Sequence, residues 1–289
     1  MAPLLIADVP WLLYRSFFAL PKSIVGSEGQ PVNALLGTVN SLLVAIEACA
    51  PRAVVACFGA EEARYRVQLY PAYHAHRDPM PTELAHQWKQ APALLESFGW
   101  TVADAEELEA DDAMFSYATA ERQARGEALL VTGDRDLYQA LDKRVSVLES
   151  VTGGAVAFIG PEQVAERHGV PPRLIPDLIA LRGDPSDGLP GAPGIGAKTA
   201  AALLQEHGSL EQVLATAEHA GGAGSGMTAR VAASLRDNAE LLRAFKQIAT
   251  LQPIAVERPS DRPTDFATGA NAARKLGMNR LADRLSRIP

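Results

Sequence analysis

Acidic residues in this chain fall in groups that follow apolar segments. Residues 107–112 read Glu-Leu-Glu-Ala-Asp-Asp, and two later pairs, Asp134/Asp136 and Asp184/Asp187, occupy comparable places after apolar runs. Carboxylates brought to one point repel and raise each other's pKa, so a fold that gathers them needs a compensating positive charge. A hard divalent cation is the economical supplier. Mg²⁺ and Mn²⁺ take oxygen ligands and keep some water, and two of them about 4 Å apart can clamp the attacking and leaving oxygens of a phosphodiester. The chemistry these groups point to is metal-dependent nuclease action. Ordinary surface charge would explain any single member, and the helix dipole would explain Asp111 and Asp112 in a first helical turn. Neither explains the set, with Glu109 outside the helix.

The elements that must position them can be read in order. Residues 4–7 form a continuous apolar run, the mark of a buried parallel strand, with Asp8 at its carboxyl end, where open α/β sheets bind ligands. Apolar residues 11–18 then place Tyr14 and Arg15 about two helical turns further on. Helical periodicity over 35–46 gives an amphipathic helix ended by Pro51, and 54–58 is the second strand, followed by Gly59 where Asp8 followed the first. Thr82 is a fair N-cap for a helix reaching Phe98, with Pro92 kinking it. A short strand at 100–102 precedes a helix over 111–123. The strand at 128–132 delivers Gly133-Asp134-Arg135-Asp136, whose two aspartates point the same way if the segment stays extended. Residues 145–148 read as an edge strand. From about 160 the chain is helical to its end, with a glycine-rich connection at 221–226, an extended proline-rich stretch at 253–263 and a last helix over 270–288.

This pattern predicts an α/β fold with a mostly parallel sheet and helices on both faces over 1–158, then an all-helical lobe over 159–289. The most irregular stretch is 184–199. Its Gly194-Ile195-Gly196 turn precedes a helix over 198–207 whose free N–H groups, with Lys198 and Thr199, suit a phosphate. A nucleotide P-loop requires Gly directly before Lys-[Ser/Thr], and Ala197 intervenes; a dinucleotide loop requires a preceding strand. A helix-turn-helix over 184–207 that grips a DNA backbone fits better, the plain alternative being a glycine-rich helix connection.

No apolar run approaches the roughly 20 residues needed to span a bilayer, and the first residues lack a signal peptide's basic start. Cys49 and Cys57 suit a reduced compartment, so a cytoplasmic monomer with no membrane contact is expected. A net charge of −7 argues at first sight against nucleic acid. Distribution matters more: residues 63–77 hold no acid, and Arg64, Arg66, His74, His76 and Arg77 alternate with Tyr65, Tyr70 and Tyr73. Basic residues interleaved with aromatics contact phosphates and stack bases, although a solvated face has the same composition.

With Glu109-Ala110-Asp111-Asp112, Thr132-Gly133-Asp134-Arg135-Asp136-Leu137-Tyr138-Gln139, and Gly183-Asp184-Pro185-Ser186-Asp187-Gly188-Leu189-Pro190-Gly191 leading into Gly194-Ile195-Gly196-Ala197-Lys198-Thr199-Ala200, the chain resembles the structure-specific 5′-nucleases. These comprise the 5′-3′ exonuclease domain of bacterial DNA polymerase I, its stand-alone relatives and flap endonucleases. The resemblance covers nearly the whole chain. It implies a PIN-like, resolvase-like core, a helical arch over about 64–98 and a helix-turn-helix duplex clamp. It implies that Asp8, Glu109, Asp111 and Asp112 serve a first metal and Asp134, Asp136, Asp184 and Asp187 a second, some through water. Setting these eight carboxylates aside leaves the chain about neutral. It further implies that Tyr14 stacks on a base, that Arg15, Arg77 and His74 lie at the scissile phosphate, and that carbonyls of Gly191, Ala192 and Ile195 hold potassium. The expected partner is DNA with a 5′ flap, nick, gap or 5′ end, cut to leave a 5′-phosphate and a 3′-hydroxyl.

Two positions depart from the family pattern. Gly59 stands where an aspartate ligand is usual, so Glu61 or Glu62 is expected to reach round, and Gly59→Asp to gain activity. His74 replaces a usual lysine and, mostly neutral at pH 7, implies slower turnover and a preference for Mn²⁺. A DNA-junction binding protein with decayed catalysis is the competing reading. A PIN-type ribonuclease is disfavoured by the 184–199 clamp. The absence of a polymerase segment leaves a stand-alone enzyme or an excised domain as alternatives.

Overall fold

The computed structural model describes residues 2–150, 156–219 and 227–288; the connection expected at 221–226 lies outside them. Six strands, β1 (Leu4–Asp8), β2 (Ala53–Phe58), β3 (Thr101–Asp104), β4 (Ala128–Val131), β5 (Val145–Ser150) and β6 (Val156–Ile159), form one sheet in the order β3-β2-β1-β4-β5-β6. β1 to β5 run parallel, and β6 returns antiparallel to β5. Strand 145–148 is therefore interior rather than the expected edge. The four-residue β6 beyond it was too short to stand out in the sequence.

Helices α1 (Val9–Ala19), α2 (Asn33–Cys49), α3 (Arg64–Leu69), α4 (Thr82–Glu96), α5 (Ala110–Gln123), α6 (Pro161–His168), α7 (Ile175–Arg182), α8 (Ala197–His207), α9 (Leu210–His219), α10 (Ala229–Asp237), α11 (Ala239–Ala249), α12 (Phe266–Lys275) and α13 (Asn279–Leu285) account for most of the remainder. β1 is buried throughout. Its alternate residues feed two cores: Leu4 and Ile6 pack with α5 and the helices from α7 to α11, Leu5 and Ala7 with α1, α2, α4, α12 and α13. Strand order reverses between β1 and β4, which opens a crevice at their carboxyl ends, the usual place for a ligand in such sheets. Asp8 ends one of these strands and Asp134 follows the other.

Beyond β6 the described chain is all helical, as expected, but its last part does not stay with α6 to α11. After α11 the proline-rich stretch runs back under the sheet, fixed by the buried Glu121 carboxylate, which takes Arg52 and Arg258. Arg52 Nη1 also donates to the carbonyl of Pro259 (2.7 Å) and to Asp261 (2.8 Å). Trp100 Nε1 donates to Thr264 Oγ1 at 3.0 Å. α12 and α13 thereby reach the face carrying α2 and α4. The single helix expected over 270–288 is broken at Gly277, where φ is +80° and a Cβ would lie 2.3 Å from the Ser27 amide. Among the described residues no helix is long and apolar enough to cross a membrane.

Candidate metal-dependent active site

A cleft of about 860 Å³ opens at the carboxyl ends of β1 and β4, lined by Asp8, Glu109, Asp111, Asp134, Asp136 and Asp187 and by Trp11, Tyr14, Phe18 and Trp88. Four segments supply these carboxylates. Asp8 ends β1 and caps α1, its Oδ1 accepting the Trp11 amide at 3.0 Å while Oδ2 accepts the Thr132 hydroxyl at 2.7 Å. The same hydroxyl accepts the Asp134 amide, and Asp134 Oδ1 accepts the Asp136 amide at 2.8 Å. Residues 134–136 thus form an Asx-type turn and not the expected extended segment, because aspartate bonds the backbone two residues on. Glu109 is the N-cap of α5 and Asp111 lies in its first turn. Asp187 sits in the turn between α7 and α8, which the Asp184–Leu189 backbone pair closes.

Among the described residues Glu109 and Asp187 have cationic partners, whereas Asp8, Asp111, Asp134 and Asp136 have none. Burial, partly offset by its two hydrogen bonds, pushes Asp8 up to about 6. Burial and the neighbouring Asp187, Asp8 and Asp184 push Asp134 up to about 7. Asp111 and Asp136 rise well above the carboxylate range, through burial and then through Asp134. Among the described residues the side chains of Asp111 and Asp136 have no hydrogen bond or ion pair. Such a set fits a hard cation. No three His, Cys, Asp or Glu side chains among the described residues stand in the arrangement of a directly coordinated ion.

Two expected site residues are used differently. Asp112 is fully buried and faces Arg66, whose Nη1 and Nη2 reach its two oxygens at 2.9 Å each; the amides of Glu109 and Gln252 also donate to it. Asp112 does not line the cleft, and both its oxygens are taken by Arg66 and backbone amides, the contacts of a counterion. Arg66, expected on the DNA surface, is 3% exposed. It also meets Glu109 at 3.1 Å and donates to the Ile248 carbonyl. Its position in an acid-free stretch suggested solvent; the partners that bury it lie 43 or more residues away. Glu109 in turn accepts from the Tyr73 hydroxyl and the Ala63 amide. Tyr73, read in the sequence as an aromatic among basic residues, and Thr132, read as part of a motif, show their supporting roles only through these contacts.

The region expected as an arch holds α3, a run of turns through 71–77 and α4. Its base is tied to the α7–α8 turn. His74, buried with φ +55°, donates its amide to the Asp187 carbonyl and places Nε2 3.1 Å from Asp187 Oδ1, its ring stacked on Tyr73 at 3.8 Å. Arg77 Nη2 reaches the same oxygen at 3.2 Å from a half-exposed position. Asp184 stands beside the cleft, holding Ser186 and 3.6 Å from Arg182. Tyr14 lines the cleft, whereas Arg15 is exposed over the Trp11 ring at 5.2 Å. Arg64, Gly194, Gly196, Lys198 and Thr199 are exposed; Gly191, Ala192 and Ile195 are buried.

The Gly59 gap is filled by backbone. A Cβ there would lie 2.5 Å from the Leu108 carbonyl oxygen and 2.6 Å from the Ala110 amide. The expectation that Gly59→Asp restores a ligand is overturned, because the segment bearing Glu109 occupies the space. Glu61 does not reach into the gap either: its Oε1 accepts the Tyr14 hydroxyl at 3.0 Å.

A family model described as the 5′-3′ exonuclease N-terminal resolvase-like domain matches residues 3–169, and one for the 5′-3′ exonuclease C-terminal SAM fold matches 170–262. A 5′-3′ exonuclease of Mycobacterium tuberculosis is 36% identical, over 99% of this chain and 97% of that one. DNA polymerase I of the same organism is also 36% identical, over 86% of this chain, which spans 28% of the polymerase. In fold, the chain is similar to a bacteriophage T5 flap endonuclease in complex with DNA and metal ions (TM-score 0.70, 18% identity, 99% and 98% covered). It is likewise similar to the Rad2 catalytic core with DNA (TM-score 0.63, 14% identity, 98% and 90% covered).

Proposed function

This chain belongs to the 5′-3′ exonuclease family and is a phosphodiester hydrolase, and from that premise we propose that the carboxylate cleft is its active site on branched or 5′-ended DNA. The observation that carries the reading is the convergence of uncompensated carboxylates from separate segments at the sheet's switch point. Asp8, Asp111, Asp134 and Asp136, with Asp187 and Asp184 flanking them, would hold hydrated Mg²⁺ or Mn²⁺. Such cations supply Lewis acidity and an activated water for in-line attack on phosphorus. Arg66 pairs with both Asp112 and Glu109 from within, one positive charge against two, so the cleft keeps a net negative charge that cations would offset.

Arg77 and His74, both on Asp187, would receive the phosphate, and Tyr14 a base beside it. The exposed start of α8, with Gly194, Gly196, Lys198 and Thr199, would take a duplex backbone through amides and one lysine, positioning the strand without reading sequence. Carbonyls of Gly191, Ala192 and Ile195 would hold potassium under that turn. Monomeric action and a cytoplasmic setting complete the reading. A binding-only protein is not favoured: the Gly59 departure removes one carboxylate from a set that otherwise remains. End-labelled 5′-flap, nicked and gapped duplexes incubated with Mg²⁺, Mn²⁺ or EDTA test the reading. Cleavage of the 5′ strand with either metal, abolished by EDTA and by Asp134→Asn, is expected; intact substrate under all conditions overturns it.

A further inference from the structure

α1 leads from the carboxylates to the mouth of the cleft. It starts at its cap, Asp8, and Tyr14 and Phe18 follow four residues apart on one face, roughly 9 and 15 Å along the axis. Phe17 is buried, but Phe18 is 70% exposed. A lone exposed aromatic needs no explanation. Phe18 is not alone: it lines the same cleft as the carboxylates, its ring lies 25° from the plane of Tyr14 with centroids 6.5 Å apart, and Phe17 braces it edge-on at 5.2 Å. Tyr14 is held in turn, edge-on to Trp88 at 6.3 Å and through its hydroxyl to Glu61. The two rings are fixed by their neighbours before any ligand arrives, and the open face of Phe18 has no partner of its own beyond them.

We propose that Phe18, together with Tyr14, forms a two-ring stacking face for the base of an unpaired nucleotide at the cleft mouth, with Glu61 as the positioning residue for Tyr14. The inference rests on the nuclease reading and extends it to the single-stranded part of the substrate. A base, rather than a protein side chain, suits the face because it shares the cleft with the carboxylates and Arg77, so a strand running to the carboxylates passes it. Stacking on aromatic rings tolerates every base, which suits an enzyme that recognises strand form rather than sequence. Phe18 thereby favours a strand that presents at least one unstacked base over a blunt end.

The probe is a duplex with a 5′ single-stranded extension containing 2-aminopurine, with a blunt duplex as control, bound in EDTA so that nothing is cut. Phe18→Ala is expected to weaken binding of the extended substrate roughly 5- to 150-fold, the cost of one stacked base, to reduce 2-aminopurine quenching, and to leave the blunt duplex and Tm unchanged. Phe18→Trp should restore binding; Phe18→Leu, apolar but without a π face, should not. In cleavage assays Phe18→Ala should raise KM more than it lowers kcat. Glu61→Ala should raise KM in the same way, while Glu61→Gln, still an acceptor for Tyr14, should not. Equal binding by Phe18→Ala and the parent, or rescue by Leu as complete as by Trp, overturns the proposal. Failure of the parent to cut any substrate would instead refute the nuclease reading, and the EDTA binding comparison would still score the stacking face on its own.

Discussion

Replacing Arg66 by methionine separates two roles for the same residue. In the fold its guanidinium is bidentate to Asp112, touches Glu109 and holds the Ile248 carbonyl, all below the surface. Asp112 has no other cationic partner among the described residues, so Arg66→Met leaves a fully buried carboxylate unpaired. Breaking such a pair by removing one partner costs about 3–5 kcal/mol, a large share of the roughly 5–15 kcal/mol that holds a typical domain folded. At about 2–4 °C per kcal/mol for a chain of this class, the melting point should drop on the order of 10 °C. Differential scanning calorimetry and urea denaturation read this directly. The double variant Arg66→Met/Asp112→Asn should recover much of the loss, since Asn carries no charge and still accepts the Gln252 amide. An Arg66→Met protein within ~1 kcal/mol of the parent, with weaker DNA binding and a salt slope shallower by about 1, would refute the counterion role and return Arg66 to the DNA surface.

Other perturbations have equally definite outcomes. Asp8 at about 6 and Asp134 at about 7 lie above the ordinary carboxylate value, so metal-free protein has their full stabilising contribution below about pH 4 and loses it as pH rises through 7. The Tm gain on adding Mg²⁺ to EDTA-treated protein should therefore grow from pH 4 to 7.5; a pH-independent gain would contradict the clustering. Asp134→Asn should raise the metal-free Tm at pH 7.5 by relieving repulsion while shrinking the Mg²⁺-induced gain, both measurable by thermal shift. Gly59→Ala pushes a methyl into backbone and should destabilise by about 1–3 kcal/mol in urea. Lys198→Ala should weaken binding to duplexes of any sequence and lower the salt slope by about 1 in fluorescence anisotropy titrations.

How far the sequence carried the fold depended on range. Apolar runs fixed β1, β2 and β4 to within a residue or two, and because side chains at strand ends face the sheet's crevice, Asp8 and Asp134 were legible as site residues. The start of α8 after the Gly194–Gly196 turn was legible, to within a residue, from glycine and helix-start chemistry. What escaped depends on contacts remote in sequence. Asp112 and Arg66 lie 46 residues apart, and nothing local distinguishes a carboxylate facing a buried guanidinium from one facing a cation. Gly59 was recognised as a departure, yet only the approach of Leu108 and Ala110 shows why no side chain fits. Pairing of β5 with β6, and the return of α12 and α13 to the core of α1, α2 and α4, follow from tertiary packing with no periodic signal.

The C-terminal strap bears on how the catalytic unit is isolated. Residues 263–288 lie beyond the matched family segments, yet Ala270, Ala273, Leu281 and Leu285 cover the flank of Phe98 and its neighbours. Gly269 packs so tightly on the Phe98 ring that an added methyl would overlap it at 2.3 Å. A fragment cut at residue 262, where the matched family segments end, would bare that flank to water and invite self-association, so a useful recombinant boundary falls after Leu285 even though every proposed ligand precedes residue 200.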